Sequence, residues 1–193
     1  MTPFRDGRTP LSPEEFEGLI PSIATKEELN EWERENILRA RRWAIADHTG
    51  PSAIVSDEYV RKLHRKMFDQ TWKWAGQYRR TDKNLGIPFQ EIRECLAGLF
   101  GDARYWIENS TYSPDEIAVR FHHRLVLIHP FPNGNGRHGR LIADILVMKF
   151  GLPTLTWGAT NLIQAGEARG RYLEAIRVAD KGKIEALLEF ARS

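Results

Sequence analysis

Leu29, Trp32, Asn36, Ile37, Ala40, Trp43 and Ala44 fall on one stripe of a 3.6-residue repeat, with charged residues filling the positions between them. Thr25 and Glu28 stand in front of this stripe at capping-box spacing, so the pattern predicts a helix over about 26–47. A shorter helix is expected before it, where Ser12-Pro13-Glu14-Glu15 supplies a cap, a first-turn proline and a capping-box acid, and it should stop before Pro21. Ser56 and Asp57 can cap a third helix carrying Tyr59, Val60, Leu63, Met67 and Phe68. Residues 89–108 repeat the pattern with Ile92, Leu96, Leu99, Phe100 and Ile107. Ser113-Pro114-Asp115-Glu116 opens another helix with Ile117, Phe121, Leu125 and Ile128 inward. Leu141, Ile142, Ile145, Leu146 and Met148 then run to Gly151, a left-handed cap followed by Pro153. Two or three shorter helices are expected around 161–168, 171–179 and 183–190.

One stretch breaks the helical pattern. Between Gln77 and Phe89 lie Tyr78, Thr81, the turn-forming Asn84-Leu85-Gly86 and Pro88, which suit a short β-hairpin better than a helix. The expected fold class is therefore mainly α, with one small hairpin and no internal repeats.

Composition narrows the partners. A chain of 193 residues supports one well-buried core, and 28 basic against 26 acidic side chains are too evenly balanced to predict a nucleic-acid partner. Arg39, Arg41, Arg42 and the basic residues of 61–66 are read as solvated helix faces. The single Cys95 excludes an intramolecular disulfide and a cysteine-rich zinc site, which fits a reducing, cytoplasmic setting. The first residues lack the apolar core of a secretory signal, and the most apolar run, 141–152, is interrupted by Asp144 and Lys149, so no membrane partner is expected.

The chemistry concentrates in residues 129–140, His-Pro-Phe-Pro-Asn-Gly-Asn-Gly-Arg-His-Gly-Arg. His129 can accept a proton, while a glycine-rich helix start and the guanidinium groups of Arg137 and Arg140, one turn apart, can hold phosphate oxygens. A plain interhelical connection needs neither the paired arginines nor a histidine followed by proline. Residues 134–139 also fit the dinucleotide-binding glycine pattern, but no strand runs straight into Gly134 and position 159 is Ala where an acid is required. No P-loop Gly-Lys-Ser or Gly-Lys-Thr occurs, and His122 and His123 are read as packing or hydrogen-bonded groups. The segment predicts a nucleotide-using transferase.

These residues resemble the Fic family, whose motif runs His-x-Phe-x-acid-Gly-Asn-Gly-Arg-x-x-Arg. The likeness in helix order covers most of residues 55–190, which makes 55–193 the expected catalytic domain and 1–54 an N-terminal segment like that of short bacterial Fic proteins. The resemblance implies transfer of AMP from ATP to the Ser, Thr or Tyr hydroxyl of a target protein, with Mg²⁺ as cofactor. Modification of the chain itself, assembly into a homo-oligomer and a toxin–antitoxin-like setting are left open. By the same resemblance His129 is the general base, and Phe131 anchors the loop. Gly134, Asn135 and Gly136 present donors to the phosphates, and Arg137 and Arg140 hold the β and γ phosphates. Thr81, Asp82, Lys83, Asn84, Leu85, Gly86 and Ile87 form a flap that pairs with the target segment. Tyr172 and Asn161 are candidates for the adenine pocket.

Two positions depart from the family pattern. Asn133 stands where an acid usually helps to hold the metal, and a neutral amide oxygen can still coordinate Mg²⁺ without the favourable charge. Glu35-Asn36 partly matches the family's inhibitory-helix motif, whose first position here is Glu31. The implied role of Glu35 is a salt bridge to Arg140 that denies this arginine to ATP. Phosphoryl transfer, removal of AMP and a non-enzymatic nucleotide-binding module are the rival readings.

Overall fold

The computed structural model describes residues 11–159 and 165–193. Among these it forms nine α-helices: α1 (Pro13–Phe16), α2 (Lys26–Ala46), α3 (Pro51–Ile54), α4 (Asp57–Phe68), α5 (Ile92–Glu108), α6 (Pro114–Ile128), α7 (Asn135–Lys149), α8 (Ala165–Asp180) and α9 (Glu185–Arg192). The starts follow the chemistry of the caps. Ser12 and Thr25 each close a complete capping box with Glu15 and Glu28, while the hydroxyls of Ser56 and Ser113 accept from the amides of Tyr59 and Glu116. The α3 turn after Gly50 lies outside the sequence pattern, being too short to show a period.

Helices α6 and α7 form the central pair, α5 packs on α6, α2 lies along α4, and α8 and α9 pack together. Their apolar stripes meet in one core that includes Leu63, Phe68, Leu96, Phe121, Leu125, Phe131, Ile142 and Leu146, each nearly or wholly buried. Every such side chain contributes about 1.5–3 kcal/mol on burial. The close approach of α6 and α7 depends on Gly139, where an added Cβ would lie 2.9 Å from His122 Nδ1 and 3.0 Å from Val126 Cγ2. This approach sets the end of α6 beside the start of α7, which is where the 129–140 motif sits.

The segment around α1 straps the turn at 71–74. The Ile20 amide donates to the Thr71 carbonyl at 2.9 Å, the Lys73 amide to Gly18 at 2.8 Å, and Trp74 Nε1 to the Glu15 carbonyl at 2.9 Å. An isolated antiparallel bridge joins Leu19 and Trp72.

Two expectations are corrected. The 77–89 segment carries no β-strand among the described residues; it is irregular as far as Pro88, and Phe89 opens a short 3₁₀ turn. The buried Arg79 guanidinium takes the Thr81 carbonyl at 2.9 Å and also the Ile87 carbonyl, and Asp82 Oδ1 accepts the Phe89 amide at 2.8 Å. Side chains thus occupy backbone groups that a hairpin ladder would pair with each other. Beyond the motif, the break expected before position 171 is absent, because Gly170 lies inside the continuous α8. Glycine in a helix interior costs roughly 0.5–1 kcal/mol relative to alanine, too little to end a helix whose Tyr172, Ala175 and Ala179 are buried. The part of the 161–168 prediction that precedes Ala165, including Asn161, lies outside the described residues.

Candidate active site

His129 terminates α6 in the left-handed conformation (φ 55°, ψ 58°), its amide donating to Leu125 at 3.1 Å. A non-glycine residue reaches this region only where its surroundings compel it, and here they do. Arg79 Nε donates to the His129 carbonyl at 2.8 Å, and the Arg79 amide donates to the Pro130 carbonyl at 2.9 Å. His129 is only 8% exposed. Burial, reinforced by the nearby cations of Arg79 and Lys83, pulls its pKa from 6.5 to about 4. A neutral imidazole at pH 7 is the protonation state that a general base requires.

From His129 the chain makes a tight loop closed by one amide side chain. Asn135 Oδ1 accepts from the Phe131 amide at 2.9 Å, and Asn135 Nδ2 donates to the Phe131 carbonyl at 2.8 Å. Phe131 is fully buried and Asn135 is 3% exposed. The Asn135 side chain is thus a brace of the turn; what it can offer a phosphate is its backbone amide. Asn133 Oδ1 accepts from the Gly134 amide at 2.6 Å. Gly134 has φ 80°, and a Cβ there would lie 2.6 Å from the Phe68 ring, so glycine is required by conformation and by space. Helix α7 begins at Asn135, so the amides of Asn135, Gly136 and Arg137 are first-turn donors without an intrahelical acceptor, aimed as an anion cradle. An added Cβ at Gly136 would have as its nearest contact Arg140 Nη1 at 3.9 Å, so its neighbourhood is open.

The two arginines have different partners. Arg137 Nη1 lies 2.6 Å from Glu33 Oε2, and its guanidinium sits 5.1 Å over the Phe68 ring. Arg140 sits 5.1 Å over the ring of the buried Tyr172, whose hydroxyl meets His122 Nε2 at 3.1 Å. Tyr172 therefore backs Arg140. Glu35 is exposed and pairs with Arg42 at 3.4 Å on the outer face of α2. The α2 carboxylate that reaches the motif is Glu33, 4% exposed, which also accepts from Trp72 Nε1 at 2.9 Å. Two residues span about 200° of helix, so Glu33 and Glu35 point to opposite sides.

The 81–87 loop packs against His129. A Cβ on Gly86 (φ 95°) would fall 2.5 Å from His129 Cβ. Thr81, Asp82, Asn84 and Leu85 are exposed, Ile87 is half-buried, and Lys83 is buried in an ion pair with Glu15 of the strap. Sequence reasoning singled out none of Arg79, Glu33 and Glu15 for the site. Only the burial of a charged residue reveals them.

Among the described residues no cluster of three His, Cys, Asp or Glu side chains is arranged to hold a metal. The hard oxygen of Asn133 beside the cradle fits a divalent cation that arrives with phosphate groups supplying most of its ligands, the usual situation for Mg²⁺. No helix among the described residues is long and apolar enough to cross a membrane.

A neutral histidine thus ends α6, and the next helix opens with unpaired amides and two arginines. Residues 54–147 match the Fic/DOC family. The chain thus carries a Fic/DOC domain over these residues. It is 27% identical over 140 residues to protein adenylyltransferase fic-1 of Caenorhabditis elegans, an alignment spanning 70% of this chain and 26% of that protein. It is 29% identical over 135 residues to protein adenylyltransferase Fic of Drosophila melanogaster, spanning 68% of this chain and 26% of that protein. The chain thus spans about a quarter of the length of these curated relatives. Its fold matches the BepC effector of Bartonella tribocorum, solved with bound AMPPNP, with a TM-score of 0.68 at 19% identity over 94% of this chain and 97% of that one. A Bartonella quintana Fic domain solved with bound ADP gives a TM-score of 0.68 at 20% identity over 90% and 87% of the two chains.

Proposed function

We propose that the chain is a protein adenylyltransferase that moves AMP from ATP to a hydroxyl side chain of a target protein. The observation that carries this reading is the junction of α6 and α7, where a neutral His129 ends one helix and the next opens with the free amides of residues 135–137 and the guanidinium groups of Arg137 and Arg140. The named activity of the fic-1 and Fic relatives supports it. In this reaction the target hydroxyl oxygen bonds to the α-phosphorus, the bond to the β-phosphate oxygen breaks, and pyrophosphate leaves with the electron pair. His129 takes the hydroxyl proton. The helix-start amides and the arginines hold the phosphate oxygens and offset the charge that develops on them. Mg²⁺, held through Asn133 and the phosphates, would neutralise part of the triphosphate charge.

Regulation belongs to the same reading, with Glu33 in the role that the family resemblance implies for Glu35. The Glu33 carboxylate engages Arg137, a group the triphosphate needs. A coupling of about 1–3 kcal/mol would repress turnover roughly 5–150-fold. The deciding experiment incubates the protein with ATP, Mg²⁺ and cell lysate, followed by intact-mass and peptide analysis. Addition of AMP to protein, lost in His129→Ala, is the expected result. Addition of a phosphoryl group alone, or ATP binding with no modification in any sample, would overturn it.

A further inference from the structure

His64 lies on α4, outside the motif, and is completely buried. Its two ring nitrogens face different walls of the site. The Gly76 amide donates to Nδ1 at 3.0 Å, and Nε2 lies 3.0 Å from the Asn133 carbonyl oxygen. An amide can only donate, so Nδ1 carries no proton; a carbonyl can only accept, so Nε2 carries one. The hydrogen bonds therefore specify the neutral Nε2–H tautomer.

Each partner is the fixed point of a functional loop. Gly76 begins the segment that leads into the flap, and its own carbonyl accepts from Arg61 Nε of α4 at 3.0 Å. Gly76 has φ 76°, and a Cβ there would lie 2.8 Å from the Arg61 carbonyl oxygen, so the turn requires glycine at this position. Asn133 precedes the cradle glycine, and its side-chain oxygen caps the Gly134 amide. Between the two hydrogen bonds the His64 ring stacks on Phe131, centroids 3.7 Å apart and planes inclined by 19°. One imidazole thus joins the flap root, the motif phenylalanine and the phosphate turn.

We propose that His64, as the Nε2–H tautomer, is a positioning residue that sets the phosphate turn at Asn133–Gly134 in register with the flap root at Gly76. An apolar residue of the same volume would keep the stacking but leave the buried Gly76 amide and the part-buried Asn133 carbonyl without their partner, so the turn would relax to recover them. Packing alone calls for a ring at position 64; register calls for a ring or chain that accepts on one side and donates on the other. Glutamine meets the second requirement through its amide oxygen and nitrogen, and phenylalanine meets only the first.

The inference rests on reading this turn as the nucleotide cradle, and its test separates the two. ATP affinity is measured by calorimetry in EDTA, without target protein, for wild type, His64→Phe and His64→Gln, each checked by circular dichroism and thermal unfolding. ¹⁵N–¹H spectra of wild type read the His64 tautomer. Groups that orient a ligating residue through hydrogen bonds are worth about 10–100-fold. On that scale His64→Phe should lose at least tenfold in ATP affinity, His64→Gln should recover most of it, and the spectra should show the Nε2–H tautomer. Folded His64→Phe with wild-type affinity, a His64→Gln loss as large as that of His64→Phe, or an Nδ1–H tautomer would each overturn the proposal. If His64→Phe does not fold, the tautomer and the affinity of His64→Gln decide alone. Wild type that binds no ATP refutes the cradle reading, and with it the positioning role, whereas wild type that binds ATP but modifies nothing refutes the reaction and leaves His64 to be judged by affinity.

Discussion

Glu33 and Arg137 are 104 residues apart in the sequence and form a 2.6 Å ion pair in which the carboxylate is nearly buried and the guanidinium is one-third exposed. The second carboxylate oxygen is held by Trp72 Nε1, so the glutamate is aimed by the core at an arginine of the phosphate cradle. Glu33→Gln keeps an acceptor for Trp72 and removes the charge that holds Arg137. AMP transfer should rise several-fold or more in this variant, within the roughly 5–150-fold range of such couplings. Glu35→Gly, which touches the exposed pair with Arg42, should leave the rate within about twofold of wild type, on the scale of surface ion pairs. Equal activation by both variants in a target-labelling assay would remove Glu33 from the role.

With His129 as the base of the proposed reaction, its titration should set the acid limb of the rate profile. Its pKa is drawn to about 4 by burial first and then by Arg79 and Lys83, so it stays neutral as pH falls through the ordinary histidine range. The value of kcat/KM reports the free enzyme. It should therefore hold level from about pH 7 down to about 5 and fall only below that. A limb centred near 6.5, the ordinary histidine value, would mean that the imidazole is solvated in the active form.

Fold stability should respond to acid in a window that follows from four buried histidines. His122 is lowered to about 3, His129 and His138 to about 4, and His64 well below its ordinary value, in each case chiefly by burial. Between about pH 6.5 and 4 the unfolded chain binds protons that the folded chain refuses, so stability drops as pH falls through that window. Each histidine contributes about 1.4 kcal/mol per pH unit where the two states differ by a full proton. Asp144 acts with the opposite sign, since burial raises it to about 6 and the folded chain takes up its proton earlier than the unfolded chain does. Urea unfolding at about pH 7 and about pH 5 should show a clear loss at the lower pH, and equal stabilities would contradict the burial of these rings.

Asn133 offers one neutral oxygen to a cation carried by phosphates. Asn133→Asp supplies charge while retaining an acceptor for the Gly134 amide. Half-saturation by Mg²⁺ should fall by several-fold in an ATP-binding titration, with little change in ATP binding measured in EDTA. An unchanged Mg²⁺ requirement would place the cation away from this residue.

Much of the scaffold is legible in the sequence because the signals are local. Ser12, Thr25, Ser56 and Ser113 cap the helices that their spacing predicts, and Ile117, Phe121, Leu125 and Ile128 face inward as theirs requires. His129, Gly134, Arg137 and Arg140 are legible as a linear motif. What stays hidden depends on distant partners. Glu33 and Glu35 are equally polar in a periodicity plot, and only the Trp72 and Arg137 contacts separate them. Arg79 reads as one more basic residue, yet its guanidinium replaces a hairpin ladder by capping carbonyls at Thr81, Ile87 and His129. His64 is masked by its place in an amphipathic helix, where a polar residue on the buried side passes for an interruption of the stripe.

Gly86 tests whether the flap works as a template or only as cover. Its φ of 95° and the 2.5 Å approach of an added methyl group to His129 Cβ mean that Gly86→Ala must push the loop away from the base. The cradle at Gly134–Arg137 is not among the nearest contacts of that methyl group, so ATP affinity should be preserved. Target modification should fall about tenfold or more if the loop aligns the acceptor hydroxyl over His129, because small misplacements of reacting groups cost large factors in rate. A variant that labels its target faster than wild type would instead mark the 81–87 loop as a cover over the base, and its removal as a step in activation.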